Sequence, residues 1–224
     1  MKVMKPITLN TNQERSTLKD LREKYPNSVI SPSSIRRAIL LESGRGTYTF
    51  PVKRDVGAQL AHDQLLDAND SFIATRWGIK LLAEDPAAPG TGILQAYPNN
   101  TVFVAVAGEV VPLHLNAFFN GRLRFKKDDT VQIEAWPTNL ALTVPQTQQS
   151  ASTNYSQAQG DDGVVLLPTT IGFNGSAKNE ITLDIPLNPT TQKVQHVTAA
   201  TRLYVVFVAY GFLLTGVSRL NNNG

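Results

Sequence analysis

The sequence predicts an all-β protein: an antiparallel β-sandwich, a single jelly roll, preceded by a short helical basic N-terminal arm. Three observations lead there. Polarity comes from neutral side chains, since Ser, Thr, Asn and Gln number 61 of the 224 residues while charged residues make up 17%, below the usual quarter. Roughly eight to ten short runs between 47 and 217 alternate or are β-branched, without the strand–helix alternation of a doubly wound fold. Finally, Leu203–Leu214 holds Tyr204, Val205, Val206, Phe207, Val208, Tyr210 and Phe212, which is the make-up of a strand buried on both faces.

The expected organisation is an arm at 1–46, a sandwich at 47–218 and a polar tail at 219–224. Charge marks the first boundary. Residues 1–54 carry eleven Lys/Arg against four acids, a net of +7, and the remainder carries −4. In the arm, Thr17–Lys24 reads as a helix stopped by Pro26. Ser31-Pro32-Ser33-Ser34 offers a cap for a second helix through Ile35, Ile39 and Leu40, closed by Gly44. An arm of this kind predicts that deleting residues 1–45 leaves the sandwich folded.

From Thr47 the period changes to two. Tyr48, Phe50 and Val52 alternate, and a helical or irregular piece follows at Gln59–Leu66. Asp67-Ala68-Asn69-Asp70 makes a turn. Ile73, Thr75, Trp77, Ile79 and Leu81 then share one face of a long strand, with Ala74, Arg76 and Lys80 on the other. Pro86–Gly90 is a loop, Ile93–Tyr97 and Val102–Val106 are strand candidates, and Val110–Phe119 reads as a short helix ended by Asn120-Gly121.

The clearest hairpin follows. Leu123 and Phe125 point inward, Lys126–Asp129 turns, and Val131, Ile133 and Ala135 return inward. Residues 145–163 are almost free of apolar side chains and read as a long exposed loop. Val164–Leu167, Ile171–Phe173, the alternating Ile181/Leu183/Ile185/Leu187 and the Leu203–Leu214 strand complete the body.

Chemistry finds little foothold. There is no cysteine, so disulfides, thiolate metal sites and thiol nucleophiles are excluded. His62, His114 and His196 stand far apart without metal-ligand spacing. No G-x-S-x-G, Walker or G-x-G-x-x-G motif occurs. The acid pairs Asp128-Asp129 and Asp161-Asp162, and Asp67 with Asp70, sit in turns that favour Asp for local hydrogen bonds; a loop calcium site is the alternative. The expectation is therefore no enzyme and no cofactor. The apolar run at 203–217 is shorter than a membrane-spanning helix, so no membrane span is expected.

Candidate contact residues are of two kinds. Arg15, Lys19, Arg22, Lys24, Arg36 and Arg37 form a possible genome- or neighbour-facing set on the arm. Arg122, Arg124 and Lys126 on the hairpin would join Arg36-Arg37 if the fold brings them together. Trp136 lies on the face opposite Val131, Ile133 and Ala135, and with Tyr155 is a candidate interface residue.

The basic arm, the cysteine-free β body and the polar loop, with the phrases Asn69–Thr75, Gln95–Asn99 and Gly175–Ile181, resemble structural virion proteins of bacteriophages. The likeness covers roughly residues 67–187 and brings no catalytic residues with it. It implies a capsid-type subunit, located in the virion, that assembles with copies of itself as trimers, pentamers or hexamers and contacts other virion proteins or, non-specifically, nucleic acid. The alternative is a virion decoration, spike-type or carbohydrate-binding sandwich, with Trp136 and the 145–163 loop as its contact surface.

Overall fold

The computed structural model describes residues 12–42, 44–54, 60, 63–99, 102–103, 115–143, 163–186, 201–217 and 220. Helix α1 (Asn12–Lys24) is followed by β1 (Val29–Leu40), β2 (Thr47–Pro51), β3 (Ser71–Glu84), β4 (Leu94–Gln95), β5 (Arg122–Lys127), β6 (Thr130–Pro137), β7 (Val165–Asn174), β8 (Asn179–Asp184) and β9 (Arg202–Thr215). Short 3-10 turns at Asn116–Phe119 and Thr138–Ala141 flank the β5–β6 hairpin.

The strands form two antiparallel sheets. One runs β1-β9-β3, with β7 and the two-residue β4 sharing the far edge of β3; the other runs β2-β8-β5-β6. Leaving β4 aside, eight strands pair first with last (β1–β9), second with seventh (β2–β8), third with sixth (β3–β7) and fourth with fifth (β5–β6). That nesting is a long hairpin rolled on itself, the jelly roll that the sequence predicts. β9 lies between β1 and β3 and is buried along nearly its whole length, as its β-branched and aromatic content requires.

Between the sheets, Phe207 of β9 meets Phe50 of β2 at 5.9 Å and Phe125 of β5 at 5.9 Å between ring centroids. Phe125 also reaches Phe173 at 6.3 Å. These aromatics tie both sheets into one core with Tyr48, Trp77, Ile79, Leu123, Ile181 and Leu183. The roll also has two unlike ends. At one, β5–β6 and β7–β8 are joined by the tight turns 128–129 and 175–178, and β2 is joined to β3 through residues 52–70. At the other, the strand ends are linked through residues 41–46, 85–121, 138–164 and 185–201.

The expected second helix is instead strand β1. Ile35, Ala38 and Ile39 satisfy a helical stripe, but they satisfy a strand as well, and β1 pairs with β9 from Val29 to Leu40. A two-turn helix has little stability of its own, whereas this ladder buries Ile35 and Ala38 on opposite faces of the sheet. Pro32 is tolerated because β1 is the edge strand. The sandwich therefore begins at Val29, and a deletion of residues 1–45 would remove β1.

Two further expectations fail through β-bulges, which shift a strand's face assignment by one residue. β3 bulges between Ala74 and Arg76. Before the bulge Phe72 and Ala74 face the core; after it Trp77, Ile79 and Leu81 do. Ile73 is thereby turned outward, against Leu21 of α1. β6 slips twice against β5, pairing Leu123 with Trp136, Phe125 with Ile133 and Lys126 with Val131. Ile133 and Trp136 consequently lie on one inward face, and Val131 is 44% exposed.

Elsewhere the differences are of extent. Of the strand candidate at 93–97, Leu94–Gln95 pairs; of 102–106, residues 104–106 lie outside the described residues, and of the 110–119 helix the described part includes the Asn116–Phe119 turn. Residues 63–66 are irregular, tied to the body by single bridges from Gln64 to Arg36 and from Leu66 to Lys53. The hairpin turn forms at Asp128 (φ 45) and Asp129 (φ 65), the type I′ geometry for which Asp is suited.

Candidate interaction surface

α1 has two faces. Glu14, Leu18, Leu21 and Tyr25 recur at helical spacing on one side, and Arg15, Lys19 and Arg22 on the other. The first face lies on the outer surface of the five-stranded sheet. Leu21 is buried with Ile73, Phe212 and Leu214, and Leu18 and Tyr25 pack at the margin of that cluster. The arm is thus a docked helix.

Polar contacts set its position. The carboxylate of Glu14 is buried against Arg76, with Nη2 donating to Oε2 at 2.9 Å and Nε facing Oε1 at 2.9 Å. The Thr75 hydroxyl lies 3.2 Å from that carboxylate and 3.2 Å from the Tyr210 carbonyl. Both β3 residues belong to the bulge. The partner strand β7 is bulged at the same level, where pairing jumps from Leu166–Arg76 to Ile171–Ala74 around Pro168. Gln13 donates from Nε2 to the Leu167 carbonyl at 2.9 Å. The first turns of α1 thereby satisfy backbone and side-chain groups that the double bulge leaves without ladder partners.

The second face is open. Arg15, Lys19, Arg22 and Lys24 are exposed. Arg15, Leu18, Lys19, Arg22 and Glu23 line an open groove, in which Lys19 stands 3.8 Å from Glu23.

Arg36 and Arg37, expected beside them, are built into the sandwich instead. Arg37 is 2% exposed, and its Nη1 donates to Asp63 Oδ2 at 2.8 Å. Asp63 also accepts from the backbone N–H groups of Ala38 and Leu60, each at 3.0 Å, so it pins this connection to the edge of β1. Arg36 is half-buried. Burial lowers its pKa, partly offset by the negative charges of Asp63 and Glu84 and by Tyr210.

The hairpin cations do not join them. Arg122, Arg124 and Lys126 lie on the four-stranded sheet, where Arg124 is 3.4 Å from Glu134 and 3.9 Å from Asp184, and Lys126 is 3.1 Å from Asp129. Trp136 is half-buried and turned inward, edge-on to Trp77 at 5.9 Å. It packs against the core through this edge. Tyr155, the rest of the 145–163 loop before Gly163, the three histidines and Asp161-Asp162 lie outside the described residues.

The turn acids serve the backbone and neighbouring cations. Asp70 accepts from the Gly216 N–H at 3.0 Å, Asp67 pairs with Arg54 at 3.2 Å, and Asp128 accepts from the Lys178 N–H at 3.0 Å. Among the described residues no group of three His, Cys, Asp or Glu is placed to hold a metal ion. Among them, too, no helix is long and apolar enough to cross a membrane.

Sequence reasoning missed Gln13, Glu14, Asp63, Thr75 and Arg76 as positioning residues. Only Glu14 left a signal, as an acid on the apolar stripe of an amphipathic helix, where a buried partner is required. Set against known proteins, the chain matches no family model and no curated protein.

Proposed function

We propose that this chain is a non-catalytic shell subunit of a virion, of bacteriophage type, which assembles with copies of itself. The observation that carries this reading is the strand nesting, first with last through fourth with fifth, which viral capsid domains share with lectin domains and cupins. One feature favours the shell over the other jelly-roll proteins. The chain is rich in neutral polar side chains, which suits repeated burial against identical neighbours better than dense charge does. The sugar-binding alternative rests on Trp136, which packs against Trp77, and on the 145–163 loop, which before Gly163 lies outside the described residues.

Size-exclusion chromatography with light scattering, at low and high salt, with negative-stain images of each peak, tests the proposal. Closed particles or rings of trimers, pentamers or hexamers are expected. A monomer at every salt concentration overturns it, and a stable isolated trimer moves the assignment to a decoration protein.

A further inference from the structure

We propose that the open face of α1 is a docking rail for the phosphate backbone of nucleic acid, read without regard to sequence. The inference rests on the shell reading only for its biological setting, since it identifies the helix-capped sheet as the side turned toward a packaged genome.

Arg15, Lys19 and Arg22 follow at i, i+4 and i+7, a straight ridge on one helix face. At 1.5 Å rise per residue the ridge spans about 10.5 Å. One strand of a duplex presents a phosphate about every 3.4 Å along its axis, so the ridge faces about three of them. Among the described residues Arg15 and Arg22 stand in no ion pair; the acids on the exposed side of the helix are Glu23, 3.8 Å from Lys19, and Asp20, so the ridge keeps a net positive charge. The helix is held from beneath by Glu14, Gln13 and Leu21, so the three cations are presented on a fixed support.

Two features choose the partner. The apolar stripe of α1 is already spent on the sheet, leaving nothing to enter a lipid surface, which a membrane-bound amphipathic helix needs. A linear, evenly spaced row matches a repeating polyanion better than the irregular acids of a folded protein. Readout of bases is not expected, because Tyr25, the aromatic residue next to the row, packs into the helix–sheet cluster and offers no stacking platform.

The test is fluorescence anisotropy of a labelled duplex oligonucleotide with purified chain between 50 and 200 mM salt. Each neutralised phosphate adds about 0.9 to the salt exponent, so the double variant Arg15→Gln/Arg22→Gln should lower that exponent by about 1.8. Over this range wild-type affinity should therefore fall about 12-fold more than that of the variant. As a matched control, Arg124→Gln/Lys126→Gln removes the same charge from the other sheet and should leave the exponent unchanged. Equal exponents for wild type and the helix variant overturn the rail, as does an equal drop in the control, which would show a net-charge effect. Binding to phosphatidylserine vesicles that the helix variant abolishes, with no change on DNA, also overturns it and assigns the face to membranes. Light scattering on the same samples separates the two proposals: particles that form with an unchanged exponent sink the rail alone.

Discussion

The two sheets treat their outer faces in opposite ways. The outer face of the five-stranded sheet is roofed by α1, and its charged groups Glu14 and Arg76 meet at short range in a buried pair; a second buried pair, Arg37 with Asp63, closes the β1 edge of the same sheet from its inner side. Among the described residues no element covers the outer face of the four-stranded sheet. There Arg124, Glu134, Asp184, Lys126 and Asp129 pair in solvent, Arg124 being 44% exposed along its side chain. The same residue types therefore play different parts. An exposed pair trades one solvated arrangement for another and contributes little. A buried pair makes every other placement of its elements unfavourable, because any misfit strands a charge away from water. The roofed face thus gains a single geometry, and the face of the four-stranded sheet gains solubility.

That contrast can be broken most forcefully at Arg76. Arg76→Met leaves the Glu14 carboxylate buried without its partner, and urea unfolding should show a loss of about 3–5 kcal/mol. Adding Glu14→Leu should restore most of that loss, since well-packed apolar replacements of a buried pair are often neutral. A double variant as unstable as the single one would mean that the pair contributes net stability beyond positioning. Trp136→Ala, at the seam between the sheets, should destabilise by about 2 kcal/mol, less than a fully buried Trp because the ring is half-buried.

On the four-stranded sheet the effects should be small. Arg124→Met should change stability by under about 1 kcal/mol, and the change should shrink further in high salt. A loss as large as at Arg76 would erase the distinction between the faces. The smallest effect concerns Asp129. Hydrogen bonding to Lys126, with the positive charges of Lys126 and Lys178, holds its pKa below the ordinary aspartate value. A depressed carboxylate contributes stability above its unfolded pKa and loses it as pH falls through the folded one. NMR titration should place Asp129 below exposed aspartates, and Lys126→Gln should raise it.

How much of this was legible in the sequence depends on distance along the chain. The sandwich class was legible because Tyr48/Phe50, Ile181/Leu183 and the 203–214 run each carry their own period. Faces beyond a bulge were not. At Ala74/Arg76 and along β6 the alternation restarts with opposite parity, and no local residue type announces it; Trp136 and Ile73 were misplaced for that reason. The 31–40 segment was ambiguous, because its apolar spacing fits both a helix and a strand and β9, which decides the matter, lies about 170 residues away. The same applies to the surface. The exposed cations of α1 could be read from local spacing, whereas the fate of Arg37 depended on Asp63, 26 residues on.

The position of β9 carries a consequence for how the protein is made. It is the strand against which both β1 and β3 are zipped, yet it leaves the ribosome after every strand it joins. Until then β1 and the outer half of β3 have no permanent neighbour on that side, and contacts spanning so much chain form slowly. A nascent chain therefore lacks the sheet on which α1 rests. The order of synthesis thus acts as a clock: both faces of the five-stranded sheet come into being only once translation has passed residue 215.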